Sequence, residues 1–437
     1  MAGGTFTTQN KTRPGVYINF VDGGSTLGSA GNRGVVTVAL SLSWGESQKI
    51  LPIYAGENVF DKLGYDITDE KLLLVKEALK RAQTLLLYRL NEGTKATVTV
   101  GSLTATAKYG GERGNDLTLV IQTNIDDSAK FDVMTLLDGG EVDTQTVANI
   151  EELQNNVWVD FIGSGALTIT AGATLTGGED GSVTNGNYSD YLNAVEVQDF
   201  NTIALASKDA TLKSVFAAFI RRLRDEGRKT QLVVENYPIA DHEGVISVKN
   251  GVILAEGTVL DSSESTVWVA AATAGAQINQ SLTYEAYDDA IDVDTRYTNA
   301  QIEEALKSGE FVFVPSQSRA VVEQDINTFT SYTPEKGKKF SKNRVIRVLD
   351  GIANDFKRIF ELYYIGKVDN NDDGRGLFKK ECIKYLDSLQ NINAIQNFNA
   401  QQDIEVEQGS DGDSVYVDAS VQPVDSIEKI YMKVKVR

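Results

Sequence analysis

The sequence has very few of the residues that build disulfides, metal sites and catalytic dyads. Its 437 residues include one cysteine, Cys382, and one histidine, His242. A single cysteine excludes an intrachain disulfide and is typical of a reducing compartment. Zinc needs several nitrogen or sulfur ligands, which one histidine and one distant cysteine cannot supply. We therefore expect no metal and no other cofactor.

Long apolar runs and positive charge are also scarce. No apolar stretch approaches the roughly 18 residues of a membrane span, and the opening MAGGTFTTQNK lacks the apolar core of a secretion signal. The formal net charge of -19 disfavours nucleic acid, because binding phosphates requires a basic surface. These features predict protein partners, with no nucleic acid and no direct membrane insertion.

Motifs for enzymatic chemistry are missing or incomplete. His242 lies in IADHEGV between two acidic residues, and a Ser-His-Asp relay would also need a serine on a supported turn. No G-x-S-x-G sequence occurs, and IGKVDN lacks the glycine spacing and the Ser or Thr of a Walker A loop. We predict that the protein is not an enzyme, with a hydrolase that uses His242 as the less favoured alternative.

The stretch DNNDDGRGLFKK is similar to the start of an EF-hand calcium loop. Asp369, Asn371 and Asp373 occupy the first, third and fifth ligand positions. The twelfth position should be a bidentate glutamate, but Lys380 stands there. We interpret the stretch as a polar turn between two helices.

Helix and strand patterns alternate in residues 34–90 and 188–332, which predicts an α/β core with a largely parallel sheet. One helix is predicted from Thr68, as its N-cap, to residue 82. A second, over 209–227, ends at the left-handed cap Gly227, and a third runs over 268–279. The predicted apolar face of the second helix consists of Leu212, Val215, Phe216, Phe219, Ile220 and Leu223.

Two further domains and two arms complete the predicted organisation. Residues 91–187, rich in Thr, Val and Gly with short alternating runs, predict a small all-β domain inserted into the core. Residues 333–424 predict a C-terminal α+β domain with helices over 344–365 and 377–389. Residues 1–33 and 425–437 predict extended strand arms.

Both arms alternate apolar and polar residues without a local partner strand. RPGVYINF sets Val16, Ile18 and Phe20 against Tyr17, and a glycine-rich segment follows. At the other end, IEKIYMKVKVR places one set of apolar residues on one face: Ile430, Met432, Val434 and Val436. An unpaired apolar strand edge is an aggregation liability. Each arm therefore needs a partner that the neighbouring sequence does not supply.

A basic stretch, EKGKKFSKNRVIR, stands out in this acidic chain. It contains Lys338, Lys339, Lys342 and Arg344. A solvated loop and a partner-facing patch explain it equally well. We hypothesise that it meets an acidic protein surface.

Several segments together resemble contractile phage tail sheath proteins of Gram-positive myophages and phage-derived bacteriocins. The resembling segments are RPGVYINF, KYGGERGNDLTLVI, TAGAQINQSLTYEAYDD, VVEQDINTFTSYTPEKGKKFSKNRVIRVLDGI, YIGKVDNNDDGR and SVQPVDSIEKIYMKVKVR. They occur in the family's order and cover nearly the whole chain. The VEQDINT block and the ending EKIYMKVKVR are the most specific of them.

The resemblance implies a structural subunit that polymerises as stacked hexameric rings around a tail tube. The arms would add strands to the C-terminal domains of neighbouring subunits, with Gly23, Gly24 and Gly28 as a hinge. The 34–90 and 188–332 core would be an inert subtilisin-like α/β fold. The 333–424 domain would face the tube, and the basic stretch would meet the tube's surface.

The resemblance also implies further partners, a location and a mechanism. Baseplate and tail terminator proteins would bind the ends of the sheath, in a virion tail or bacteriocin particle assembled in the host bacterial cytoplasm. Contraction would draw its energy from larger interfaces between subunits and would drive the tube through a bacterial envelope. A self-assembling surface-layer protein or adhesin is the alternative, although it would require export.

Overall fold

The computed structural model describes residues 2–4, 15–17 and 33–436, which belong to two compact units. The larger unit contains residues 33–354 together with residues 423–436. The smaller unit contains Asp355–Gln422 and two short strands near the start of the chain. These strands, β1 (Ala2–Gly4) and β2 (Gly15–Tyr17), pair in parallel.

The larger unit opens with the first part of an α/β core. Its elements are β3 (Val35–Leu40), β4 (Ile50–Tyr54), α1 (Phe60–Leu63), α2 (Leu73–Leu79) and β5 (Thr84–Arg89). β3 pairs in parallel with β5, whereas β4 runs antiparallel to β5.

A β-sandwich follows, which agrees with the predicted all-β insertion. Its strands are β6 (Thr97–Val100), β7 (Leu103–Ala107), β8 (Leu117–Thr123), β9 (Phe131–Leu137), β10 (Gly140–Val147), β11 (Val159–Gly163) and β12 (Thr170–Thr174). The strand orders of the two sheets are β10-β9-β8-β12 and β11-β7-β6. Alternate residues of β8 and β7 are buried between the sheets, as expected where one face of each strand meets the core.

The chain then returns to the α/β core. The next elements are α3 (Asn185–Glu196), β13 (Thr202–Ala204), α4 (Ala210–Asp225), β14 (Gln231–Glu235), β15 (Val245–Val248), β16 (Val252–Leu254) and β17 (Val259–Leu260). They are followed by α5 (Ser262–Gly275), β18 (Ala290–Val293), α6 (Asn299–Lys307), β19 (Glu310–Phe311), β20 (Phe313–Ser316) and β21 (Arg319–Val322). Short 3-10 turns occur at Glu70–Leu72, Glu112–Asp116, Ile150–Glu152, Pro238–Ala240 and Lys338–Ser341.

The centre of the larger unit is a seven-stranded sheet in the order β19-β15-β14-β13-β3-β5-β4. Every neighbouring pair is parallel except β4 with β5. Helices α2 and α5 pack on one face, and α3 and α4 pack on the other. Because both faces are covered, the central strands are apolar on both sides, as parallel sheets usually are.

The β-sandwich joins the α/β core through buried aromatic and charged side chains. The rings of Trp44 and Trp158 stack with their centroids 5.5 Å apart. The buried guanidinium of Arg89 donates to the carbonyl oxygens of Gly45 and Gly110, each at 2.7 Å. These contacts tie the inserted domain to the end of β3 and to β5.

The smaller unit is a helix pair with a β-hairpin. α7 (Asn343–Tyr363) enters it at Asp355, and it continues with α8 (Asp372–Asn391), β22 (Ile395–Gln396), β23 (Ile404–Gln408) and β24 (Val415–Ala419). The ring of Phe378 on α8 meets those of Phe360 and Tyr364 at 5.4 and 4.8 Å. β23 and β24 form a two-stranded antiparallel sheet, and β25 (Gln422–Pro423) follows.

Three details of the predicted helices were wrong. Asp69, not Thr68, caps the turn before α2, because the Thr68 backbone and hydroxyl both donate to Asp66. Val215 is 40% exposed, since it lies off the stripe formed by its apolar neighbours on α4. α5 starts at Ser262, six residues before the predicted start, where Asp261 and Glu264 form a capping box.

Candidate assembly surface at the C-terminal arm

The C-terminal arm, residues 429–436, presents an uncovered apolar face. The side chains of Ile430, Met432, Val434 and Val436 are 79%, 80%, 76% and 93% exposed. Residues 424–436 belong to no strand of the described chain. A contiguous exposed row of large apolar side chains is unusual in a folded subunit and marks an interaction surface.

The residue before the arm, Glu428, is largely covered by the subunit. The side chain of Glu428 is 11% exposed, and it forms an ion pair with Lys342, whose side chain is 14% exposed. It also accepts hydrogen bonds from Gln324 Nε2 at 2.5 Å and from Thr283 Oγ1 at 3.0 Å. We call Thr283, Gln324 and Lys342 the Glu428 socket.

Burial alone would raise the pKa of Glu428. The hydrogen bonds from Lys342 and Gln324 and the charge of Lys342 outweigh burial, and they hold the pKa of this carboxyl below its usual value. Glu428 is therefore a carboxylate at neutral pH.

The socket is supported by buried hydrogen bonds among residues far apart in sequence. Asp325, 1% exposed, accepts from Asn343 Nδ2 at 2.9 Å and from the Leu282 amide at 3.0 Å. Its own amide donates to Thr283 Oγ1 at 3.0 Å. Ile326 and Lys342 form an isolated antiparallel bridge. The segments that carry Thr283, Gln324 and Lys342 are therefore fixed to one another.

The four residues of the basic stretch that were named as possible partner contacts occupy two different environments. Lys338 and Lys339 are exposed on a 3-10 turn. Lys342 is engaged with Glu428. Arg344 is half-buried, and burial lowers its pKa. Lys338 and Lys339 are thus the two members of the set that face solvent.

The predicted N-terminal site residues are only partly covered by the described chain. Val16 and Tyr17 lie in β2, opposite Gly3 and Gly4 of β1. The expectation that this strand has no partner nearby in the sequence was therefore wrong for residues 15–17, because a parallel strand from the start of the chain pairs with them. The remaining predicted residues, Ile18, Phe20, Gly23, Gly24 and Gly28, lie outside the described residues.

The hairpin β23–β24 has one apolar and one acidic face. Ile404, Val406, Val415 and Val417 alternate with exposed Glu405, Glu407 and Asp418 along the two strands. Glu405 lies directly opposite Asp418 in the ladder. Two like charges facing each other across strands destabilise the pair. The hairpin therefore carries uncompensated negative charge beside an apolar face.

His242 is held as a neutral structural side chain. Its Nδ1 accepts a hydrogen bond from the Gly244 amide at 2.9 Å. Burial lowers the pKa of His242 to about 4, despite the nearby carboxylate of Glu243. The hydroxyl of Thr328 is bonded to the backbone of His242 rather than to its ring. Within the described part of the chain, no hydroxyl is hydrogen-bonded to the imidazole ring.

The calcium-like stretch has a structural explanation. Asn371 is the N-cap of α8, and its side chain accepts from the Gly374 amide at 2.8 Å. Lys380 is an exposed residue of the same helix. Among the described residues, no group of three or more His, Cys, Asp or Glu side chains is placed to hold a metal ion. No helix in residues 33–436 combines the length and apolar character needed to cross a bilayer.

Four family models cover most of the chain. The phage tail sheath protein central domain matches residues 181–328, and the phage tail sheath C-terminal domain matches residues 335–437. The phage tail sheath protein beta-sandwich domain matches residues 91–180. The tail sheath protein Gp18 domain III N-terminal region matches residues 33–90. The ends of the predicted domains, at 90, 187, 332 and 424, remain predictions.

Relatives of known sequence and structure match over the full chain. The phage-like element PBSX protein XkdK of Bacillus subtilis is 40% identical over 100% of both chains. The chain belongs to the phage tail sheath family. The solved structure of a sheath tail protein from Desulfitobacterium hafniense is 62% identical, with a TM-score of 0.87 over 97% of this chain and 100% of that one.

More distant sheath structures share the fold. The helical sheath of the anti-feeding prophage in its contracted state is 13% identical, with a TM-score of 0.57 over 97% of this chain and 99% of that one. The four family models and the 62% identical sheath tail protein confirm the predicted sheath resemblance, and the chain is a structural sheath subunit with a mixed α/β and β-sandwich fold. The sheath family points to a non-enzymatic protein, and neither the hydrolase nor the adhesin alternative is favoured.

Sequence reasoning identified the apolar face of the C-terminal arm but missed Glu428. The only local signal was a single acidic residue at the start of a basic strand, in IEKIYMKVKVR. Its partners lie 86, 104 and 145 residues away in the chain. No spacing rule connects residues at such distances.

Proposed function

We propose that this chain polymerises through its terminal arms as stacked hexameric rings around a tail tube, and that it contracts to drive the tube through a bacterial envelope. The apolar face of the C-terminal arm carries this proposal. It is exposed along its whole length, whereas strands β13, β14 and β15 of the central sheet are fully buried. Such a segment is suited to strand addition to a second copy.

The gain from covering the arm is large. Burial of a Val, Ile or Met side chain contributes about 1.5–3 kcal/mol, so four of them contribute about 6–12 kcal/mol before the cost of ordering the segment. That is enough to hold neighbouring subunits together while other interfaces change. The N-terminal arm, with Gly23, Gly24 and Gly28 as its hinge, would act in the same way.

The hairpin β23–β24 is the receiving surface that matches the arm best. The arm alternates an apolar face with Lys429, Lys433 and Lys435, and the hairpin alternates an apolar face with Glu405, Glu407 and Asp418. Added to an edge of this hairpin on another copy, the arm would continue the apolar face and set lysines beside the carboxylates. Opposite charges on neighbouring strands stabilise a sheet.

A repeating contact that does not close on itself would build the helical sheath, and movement of the subunits within that helix would contract it. Identical subunits joined head to tail build a helix. A subunit whose folded units are connected through arms can move within that helix without detaching. The core would be an inert subtilisin-like fold, in keeping with its covered parallel sheet and the neutral, structural His242.

The proposed partners are further copies of this chain, a tail tube protein, and baseplate and tail terminator proteins at the sheath ends. Lys338 and Lys339 are the exposed members of the basic stretch, so they are the preferred candidates for contact with an acidic tube, ahead of Lys342 and Arg344. The particle would be a phage tail or a bacteriocin assembled in the bacterial cytoplasm.

Electron microscopy of the full-length chain and two variants tests the proposal. The full-length chain is expected to form sheath tubes, alone or on added tail tubes. A chain that ends at residue 428 and the variant I430S/M432S/V434S are expected to remain dispersed, with unchanged subunit melting temperatures.

A matched control removes apolar surface elsewhere. The variant I125S/I162S/I169S changes three residues of the β-sandwich unit that are 93%, 69% and 61% exposed. It should assemble normally. Sheath tubes from the chain ending at residue 428 would contradict the role given to the arm.

A further inference from the structure

Two segments that the family resemblance singled out converge on the start of the C-terminal arm. VVEQDINTF supplies Gln324 to the Glu428 socket, and FSKNRVIR supplies Lys342. Between them, Asn343 bridges Asp325 and the Ile326 carbonyl at 2.9 Å each. These buried hydrogen bonds lie beside the arm rather than at a catalytic or metal site.

The change in environment at Glu428 is abrupt. Its side chain is 11% exposed, whereas every residue from 429 to 436 is exposed. Hydrogen bonds to a charged group are about twice as strong as neutral ones. Glu428 receives three, from donors on three separate segments, so both its position and its direction are fixed.

We propose that Glu428 is the anchor of the C-terminal arm, which fixes the point and the direction in which the arm leaves the subunit. Glu428 is a positioning residue, because it acts through the arm and leaves the apolar face free for a partner. What the arm does beyond the anchor rests on the proposed function. The anchor itself is a property of the single subunit.

An anchored arm is preorganised for strand addition. Without the anchor, the mobile segment would extend from residue 429 back toward β25, which ends at Pro423. A longer mobile segment has more conformations to lose when it pairs, and this weakens association. The anchor therefore limits the ordering cost to the pairing residues themselves.

Site-directed spin labelling of the unassembled full-length subunit tests the anchor. The natural Cys382 is buried, and burial raises the pKa of its thiol to about 12, so it reacts poorly. A nitroxide attached at I430C therefore reports on the arm alone. In the E428Q and K342M backgrounds we expect a several-fold faster nitroxide motion than in the parent, measured at a temperature where circular dichroism shows each variant to be fully folded.

The neighbouring residue provides the matched control. Lys429 is exposed and makes no ion pair within the described chain, so K429Q should leave the nitroxide spectrum unchanged. The charge-swapped pair K342E/E428K should recover a large part of the restricted motion. Equal spectra for E428Q, K429Q and the parent would overturn the proposal.

Different measurements would contradict the anchor role of Glu428 and the proposed function of the arm. If a chain that ends at residue 428 assembles like the full-length chain, the role of the arm in assembly is wrong, whatever the spectra show. If E428Q leaves the spectrum unchanged, the anchor is wrong, even when the shortened chain fails to assemble. Slower sheath growth in E428Q, together with faster nitroxide motion, would support both.

Discussion

Strand β14 and the C-terminal arm are both short apolar segments with strand-like sequences, yet their surroundings are opposite. All five residues of β14 are buried, with β13 and β15 on its two edges and helices on its two faces. In the arm, the four apolar side chains are at least 76% exposed. Glu428, the residue before the arm, is the last one held by the subunit.

The difference shows that an apolar pattern specifies a face to be covered but not the molecule that covers it. For β14, the neighbouring strands β13 and β15 belong to the same chain and pair with it in parallel. For the arm, the described chain supplies no partner strand. In the proposed assembly a second molecule covers it, which would make subunit stability and sheath assembly separable quantities.

The largest expected effect comes from shortening one apolar side chain in each segment. L232A in β14 removes a side chain that is fully buried, and we expect it to cost about 2–5 kcal/mol of subunit stability. V434A in the arm should leave the stability of the unassembled subunit unchanged. Urea unfolding of the two purified variants measures both values.

Sheath assembly should depend on the arm residue changed in V434A, although subunit stability should not. V434A is expected to weaken sheath formation, measured by sedimentation, at a temperature where the parent subunit is fully folded. A loss of subunit stability in V434A comparable to that in L232A would remove the distinction between the two segments.

The second prediction concerns the pH dependence of the folded subunit. Burial lowers the pKa of His242 from 6.5 to about 4, so the unfolded chain takes up its proton first as the pH falls. The contribution of the neutral His242 ring to the free energy of unfolding is therefore fully present above pH 6.5. It is lost progressively toward pH 4, by up to about 3 kcal/mol. The charged groups nearest this ring are Glu243, Arg224, Arg221 and Lys336.

H242Q is expected to flatten this pH dependence, as measured by urea unfolding at several pH values. The chain that ends at residue 428 should keep the parent's slope, because the arm contributes no buried titratable group. A parent-like slope in H242Q would show that another group controls the acid sensitivity.

The smallest expected effect comes from the lysines of the arm. K433Q/K435Q should slow sheath growth slightly, as measured by light scattering, because exposed charge pairs contribute at most about 1 kcal/mol each. The difference from the parent should shrink in high salt, because salt screens exposed charges. K71Q/K307Q, which changes two exposed lysines of the larger unit, is the control. Equal growth rates for the two double variants would indicate that the arm's charge is irrelevant to pairing.

Local patterns in the sequence were enough to predict many of the elements. The apolar spacing and Gly227 correctly indicated α4, which ends at Asp225 and is followed by Glu226 as its C-cap and by Gly227 in a left-handed conformation. The alternating runs correctly indicated strands of the β-sandwich. The early start of α5 was missed because its first turn, SSES, is polar, although the Asp261–Glu264 capping box was present in the sequence.

The candidate site was less predictable because its contacts are distant in sequence. The apolar face of the arm follows from a period of two, which is a local property. The pairing of Glu428 with Lys342, and the exposure of Lys338 beside it, depend on how segments about 90 to 145 residues apart meet in the folded unit. For the same reason the sequence predicts a single basic patch, whereas Lys342 is paired with Glu428 and Lys338 and Lys339 face solvent.

The opposed carboxylates of Glu405 and Asp418 also affect how unassembled subunits meet one another. Two copies of the hairpin β23–β24 that met edge to edge would bring together two acidic faces, each already strained by its own charge. Such a homotypic pair is disfavoured relative to pairing with a strand that carries lysines. In the proposed assembly, this charge would help newly made subunits to stay dispersed, and it would favour the arm as the added strand once growth begins.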